Sequence, residues 1–165
     1  MSLKPTRIPK LLALAKNRTC VACGIGDDTI VAAHYQGYRS HAYGKGRGIK
    51  PHDAMSAQLC FKCHGEADRS GLAKGHIEHS AAFLRYIIVT HLRLYMEGQL
   101  FATDEGGQLL AQLCQNARTL MRESEANLHH TAMEIAECFD SGALQPITRR
   151  GACVGDFVGV TYAGG

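Results

Sequence analysis

CVACGIGDDTIVAAHYQGYRSHAYGKGRGIKPHDAMSAQLCFKCH, residues 20–64, opens on one Cys-x-x-Cys pair, Cys20 and Cys23, and closes on another, Cys60 and Cys63, which runs directly into His64. Four thiolates hold one zinc ion tetrahedrally, and two such pairs present their sulfurs in twos at the separation the ion needs. The 36 residues between Cys23 and Cys60 exceed what a compact zinc ribbon requires. The expectation is therefore a structural Zn²⁺ that closes the base of an inserted functional loop, against the plainer alternative of four unrelated buried cysteines.

Within that stretch, Thr29 to Tyr35 is β-branched and apolar enough to form a strand that delivers His34 near its end. The segment that follows interleaves four glycines with Arg39, Lys45, Arg47 and Lys50. Glycine lets backbone amides approach a ligand closely, and the cations suit phosphates. A short strand near Met55 to Leu59 enters the second Cys pair, and a helix from Lys62 to about Arg69 is expected to stop at Ser70-Gly71. His64 then lies at the helix start with Asp68 one turn on, so both fall on one face and can share a divalent ion. A histidine facing that ion from a neighbouring strand can take a proton from a water aimed at a phosphodiester; these are the parts of a one-metal hydrolase. Asp53 is a loop-fixing candidate, and His41 and His52 lie in the basic loop, either solvated or against phosphate. The string Cys60-Phe61-Lys62-Cys63-His64 also matches the c-type haem attachment pattern. Covalent haem attachment accompanies export, however, and the second Cys pair offers to complete a zinc site instead.

Outward from this centre, residues 7–17 read as an amphipathic helix with Ile8, Leu11, Leu12 and Ala15 on one face. The basic ends of that segment are not followed by a small-residue cleavage site, so it does not read as a secretion signal. A reducing compartment, the cytoplasm, is expected, where such cysteine spacing means metal more often than disulfide. The longest apolar run is too short for a membrane span. On the C-terminal side, Ile77, Ala81, Leu84, Ile88, Leu92 and Tyr95 recur at helical spacing up to Gly98. After a break at Gly106-Gly107, a stripe from Leu109 to Phe139 continues as one long helix or two. These pack against the preceding helix or against another subunit, so a homodimer or a protein partner is open. Cys114, Cys138 and Cys153 lack metal spacing and read as small apolar fillers. Residues 142–165 are Gly-rich, without periodicity, and are expected to be poorly ordered. Charge divides along the chain: residues 1–75 carry 12 Lys/Arg against 5 Asp/Glu, a balance of +7, and residues 76–165 carry 6 against 10, a balance of −4. The first half is thus the one suited to a polyanion.

The order of strand histidine, loop, Cys-x-x-Cys-His and helix resembles the HNH nucleases, whose fold is a ββα hairpin and helix around one metal ion. More narrowly, residues 33–71 resemble a small domain family of lambdoid phages and prophages whose members are read as nucleases. The positions that carry the likeness are Ala33-His34, Gly44-Lys45-Gly46, Gly48 with Lys50 and Asp53, and Cys60, Cys63, His64 and Asp68. The resemblance covers about residues 15–100. It implies an α+β chain: a zinc-stabilised ββα-metal domain over residues 1–103, followed by an α-helical extension with its Gly-rich tail over residues 104–165. It further implies a metal-dependent, weakly sequence-specific DNA endonuclease. His34 would be the general base, His64 and Asp68 the ligands of Mg²⁺ or another divalent ion, and Arg39, Lys45, Arg47 and Lys50 the holders of the DNA backbone. Two positions depart from the HNH pattern. Ala33 stands where many of these enzymes place an acidic metal ligand, and no Asn stands mid-motif, where Met55 falls and Asp53 is the nearest polar residue. A non-catalytic zinc-stabilised DNA-binding or adaptor module is the alternative those departures favour.

Overall fold

A computed structural model describes residues 2–72, 77–122 and 124–147, the side chains of residues 70–72 excepted. The described chain is mixed α+β, with five helices and two two-stranded sheets. Strand β1 (Val31–His34) pairs antiparallel with β2 (Ser56–Leu59), with Val31 opposite Leu59 at one end and His34 opposite Ser56 at the other. Helix α2 (Phe61–Leu72) follows β2 at once, and it continues through Ser70-Gly71, where the sequence predicted a stop.

All of residues 51–60 are buried, because β2 has cover on every side. Its outer edge would otherwise expose Gln58 backbone groups, a liability in any edge strand. Instead Val21 N–H donates to the Gln58 carbonyl and the Thr90 hydroxyl accepts Gln58 N–H. The Gln58 side chain donates to the carbonyl of Leu14, just beyond the short helix α1 (Pro9–Ala13). The sequence predicted a longer helix, over residues 7–17. Pro9 at the first helical turn and Asn17 in a left-handed conformation (φ 58°) bound the segment, and residues 2–8 run as a strap outside any helix or strand, with a tight turn from Thr6 N–H to the Lys4 carbonyl.

The central element is α3 (Ile77–Met96), which packs on β2 and α2 on one side and on the C-terminal helices on the other. Ala81, Leu84, Ile88 and Leu92 are buried as the periodicity predicts, and so are Phe83, Ile87, His91 and Leu94. Ile77, the first member of the predicted stripe, is exposed. A helix enclosed by neighbours on opposite sides needs apolar residues beyond one stripe. Gly98 (φ 65°) ends the helical run as expected.

Past it the chain forms β3 (Leu100–Ala102), α4 (Asp104–Leu120), α5 (Glu125–Asp140) and β4 (Leu144–Pro146), the two strands pairing antiparallel. The long stripe is therefore two helices; α5 packs on α3, with Leu128, Ala132, Ile135 and Phe139 buried and the Phe139 ring against His91. Gly106-Gly107 is not a break: both glycines lie in the first turn of α4. A Cβ on Gly106 would stand 2.5 Å from the carbonyl oxygen of Ala143, so glycine here permits close packing. Residues 144–146, expected in a poorly ordered tail, form a strand; Cys153 and the rest of residues 148–165 lie outside the described residues. No helix among the described residues is long and apolar enough to cross a membrane.

Candidate functional site

The thiols of Cys20, Cys23, Cys60 and Cys63 lie within 4.8 Å of one another, at the end of the hairpin where Val31 faces Leu59. Zn–S bonds of about 2.3 Å in a tetrahedron place sulfurs roughly 3.8 Å apart, and Cys23 Sγ lies 3.7 Å from Cys60 Sγ. The quartet fits a structural metal such as zinc. Each half is built by local backbone geometry. Gly24 (φ 78°) donates its N–H to the Cys20 carbonyl and Cys20 N–H donates to the Ile25 carbonyl, which curls the first pair. The second pair rides the first turn of α2, whose Phe61 N–H is capped from afar by the hydroxyl of Thr29. Burial pushes the Cys20 thiol up, but backbone N–H groups of Cys60, Cys23 and Ala22 outweigh it and bring the thiol down to about 7. Burial and the crowding of the other thiols push Cys63 up.

At the opposite end of the hairpin, His34 is 7% exposed and Asp53 1%. His34 Nε2 lies 2.9 Å from Asp53 Oδ1. Arg7, in the strap, donates to the same oxygen at 2.8 Å, and Ile8 N–H donates to Asp53 Oδ2 at 2.7 Å. Burial alone would raise the Asp53 carboxyl, yet the bonds from His34, Ile8 and Arg7 hold it below the usual carboxylate range. Arg7 also donates to the carbonyls of Pro51 and Lys50, both at 2.6 Å. The strap is stitched to the basic loop further along, by Leu3 N–H to the Ala42 carbonyl and the Ser2 hydroxyl to the His41 carbonyl. It passes over Gly44 (φ 83°), where a Cβ would meet Pro5 N at 2.8 Å and Leu3 O at 2.9 Å.

His64 Nε2 and Asp68 Oδ2 are 3.4 Å apart on α2, both part-exposed, and Asp68 Oδ1 is shielded from solvent with no hydrogen-bond partner among the described residues. An orphaned carboxylate oxygen beside an imidazole suits a cation. Among the described residues, however, the cysteine quartet is the one group of three or more potential ligands this close together, and His34 does not join His64 and Asp68 in such a group. Of the basic loop, Arg47 and Lys50 are exposed and Lys45 half-buried, while Arg39 lies 3.7 Å from Glu125 at the start of α5.

The loop's frame is aromatic. Tyr43, fully buried at the end of a 3₁₀ turn (Ser40–Tyr43), shares a hydrogen bond with His129 Nδ1 on α5 and meets Tyr35 edge-on. Tyr35 in turn bonds the Ser80 hydroxyl and packs edge-on against Phe83. His52 is neither solvated nor free for phosphate: it is fully buried, its Nδ1 accepts Ala54 N–H, and its Nε2 stands 3.5 Å from Asp140 at the end of α5. His91, also fully buried, donates from Nε2 to the Ala54 carbonyl. Cys114 and Cys138 are partly buried against the core, consistent with fillers.

Arg7 is the site residue that sequence reasoning missed. The available signal was Pro5 and Pro9 flanking it, since two prolines four apart argue for extended chain rather than helix. Comparisons with protein-family models, with curated proteins and with solved structures returned no match for this chain.

Proposed function

We propose that the protein is a metal-dependent endonuclease of HNH type that hydrolyses DNA phosphodiester bonds, with weak sequence preference. The observation that carries this reading is the placement of His34 at the end of β1, where the hairpin opens into the loop bearing Lys45, Arg47 and Lys50. An imidazole at the root of a cationic loop is positioned to take a proton from water beside a phosphate that the loop holds. Backbone cation contacts carry no sequence information, hence the weak preference. His64 and Asp68 would hold the divalent ion, which when bound supplies positive charge to the phosphate oxygens. The cysteine quartet is the scaffold that keeps β2, α2 and the first knuckle in register.

A second reading, a non-catalytic zinc-stabilised DNA-binding or adaptor module, is favoured by Ala33 and by the two-residue size of the His64–Asp68 pair. Supercoiled plasmid incubated with the purified protein and Mg²⁺ or Mn²⁺ separates them. Nicking by the native chain, its loss in His34→Ala, and unchanged zinc content and DNA affinity in that variant support the nuclease. No cleavage of any DNA form with either ion leaves the binding module.

A further inference from the structure

Asp53 receives three donors on two oxygens: His34 Nε2 and Arg7 on Oδ1, Ile8 N–H on Oδ2. An ionised carboxylate only accepts, so the His34 nitrogen facing it must carry the proton. The neutral ring then has its lone pair on Nδ1. We propose that Asp53, clamped by the N-terminal strap through Arg7 and Ile8, is the positioning residue of His34, fixing the Nε2–H tautomer and leaving Nδ1 as the basic atom. The proposal rests on the reading of His34 as the general base.

The clamp is over-determined in a way that simple core packing does not require. Arg7 spreads its guanidinium over the Pro51 carbonyl, the Lys50 carbonyl and Asp53 at once, 43 to 46 residues away in sequence. The planar fork is itself held by the two loop carbonyls, so its one charged bond reaches Asp53 Oδ1 from a fixed direction. The strap thereby ties the C-terminal limb of the basic loop and the orientation of the imidazole to one side chain.

Asparagine at position 53 keeps the shape but has a single oxygen. With that oxygen toward Ile8, its NH₂ opposes both His34 Nε2–H and Arg7; with the oxygen reversed, its NH₂ opposes Ile8 N–H. Only the first arrangement takes the acceptor away from His34 Nε2–H, whereas alanine at position 53 offers none in any arrangement and leaves the ring without a fixed tautomer, the kind of change that costs roughly 10⁴-fold where a carboxylate orients a catalytic histidine.

The test records long-range ¹H–¹⁵N spectra of the imidazoles together with plasmid nicking, in the native protein, Asp53→Ala, Arg7→Ala and Arg7→Lys, with zinc content as the check on the scaffold. Expected are an Nε2–H His34 in the native chain, a mixed or Nδ1–H ring in Asp53→Ala, and nicking lowered in that variant roughly 10²-fold or more, in kcat rather than KM. Arg7→Ala, at the solvent-exposed end of the clamp, lowers nicking less, and Arg7→Lys recovers part of it. An Nδ1–H tautomer in the native protein, or a tautomer and rate unmoved in Asp53→Ala, overturns the proposal. Should the native chain never cleave, the nuclease reading fails, while the tautomer spectra still decide whether Asp53 sets the ring. Should Asp53→Ala not fold, Arg7→Ala carries the same two readouts.

Discussion

The two ends of the β1–β2 hairpin are held by opposite strategies. At the Val31–Leu59 end, four thiols converge through two short local motifs, each shaped by its own turn or helix start. At the His34–Ser56 end, a carboxylate, an imidazole and a guanidinium converge from segments 19 and 46 residues apart, and Asp140 reaches Thr6 across 134 residues. A metal held by the four thiols would let their end be specified by spacing alone. The other end is specified only once the whole chain has closed, because its partners lie on the strap, the loop and α5.

The largest way to break this contrast is to remove the metal that the quartet would hold. Structural zinc contributes apparent free energies of about 10 kcal/mol or more in small domains, comparable with the whole stability of a typical domain. Stripping zinc with a chelator, or replacing Cys60 with Ser, should lower the melting temperature by roughly ten degrees or more and release Val21 from β2. Calorimetry with a zinc assay checks it. An identical melt in zinc-free protein would mean that the quartet is only a nest of packed thiols.

At the other end, Gly44→Ala tests the strap. The residue has φ 83°, and an added methyl meets the backbone of Leu3 and Pro5 at under 3.0 Å, which backbone atoms cannot yield cheaply. A left-handed alanine costs about 1–2 kcal/mol before any clash, so a total near 2–3 kcal/mol is expected in urea unfolding. Amide exchange at Leu3 should rise while that at Val21, tied to β2 near the thiols, stays slow. Equal loosening of both amides would show that the two ends are one unit and sink the contrast.

What the sequence disclosed follows the same division. The quartet, the hairpin strands, α2 and the buried stripe of α3 were legible because each depends on spacing within about ten residues or on a repeated period. Arg7 and Ile8, the end of the strap, were misread as the start of a helix over residues 7–17 because Ile8, Leu11, Leu12 and Ala15 keep helical spacing, and periodicity says nothing about Arg7 finding Asp53. Gly106-Gly107 misled for a related reason: a glycine pair signals a break unless the neighbouring carbonyl of Ala143 is known to need the room. The strands β3 and β4 are three residues each and pair across more than 40 residues, too short for alternation to register. His52 looked like a solvated loop histidine because nothing local reveals that α5 ends against it.

The smallest expected effect lies where α5 meets the hairpin. His91 is fully buried and neutral, and burial first, with His52 nearby, brings its folded pKa down to about 4 despite the bond to Ala54. His52 is lowered by burial as well, partly offset by Asp140. A histidine depressed in the folded state binds its proton more readily when unfolded, so its contribution is intact above the unfolded value, near 6.5. It is lost as pH falls toward 4, at no more than about 1.4 kcal/mol per pH unit per histidine. Asp53 works at lower pH: its carboxyl is depressed on folding, so its contribution holds above the ordinary Asp value and disappears only in stronger acid. Other groups face the His91 pocket, namely the Phe139 ring at 5.2 Å, the Ala54 carbonyl and His52 with Asp140 behind it. His91→Phe fills similar space without titrating. It should cost about 1–2 kcal/mol at pH 7 by orphaning the Ala54 carbonyl, yet flatten the loss of stability between pH 6.5 and 4. Urea titrations at half-unit steps separate the two terms. If the mutant keeps the native slope, the acid sensitivity belongs to His52 and the Asp140 contact, and the coupling between α5 and the hairpin runs through that pair instead.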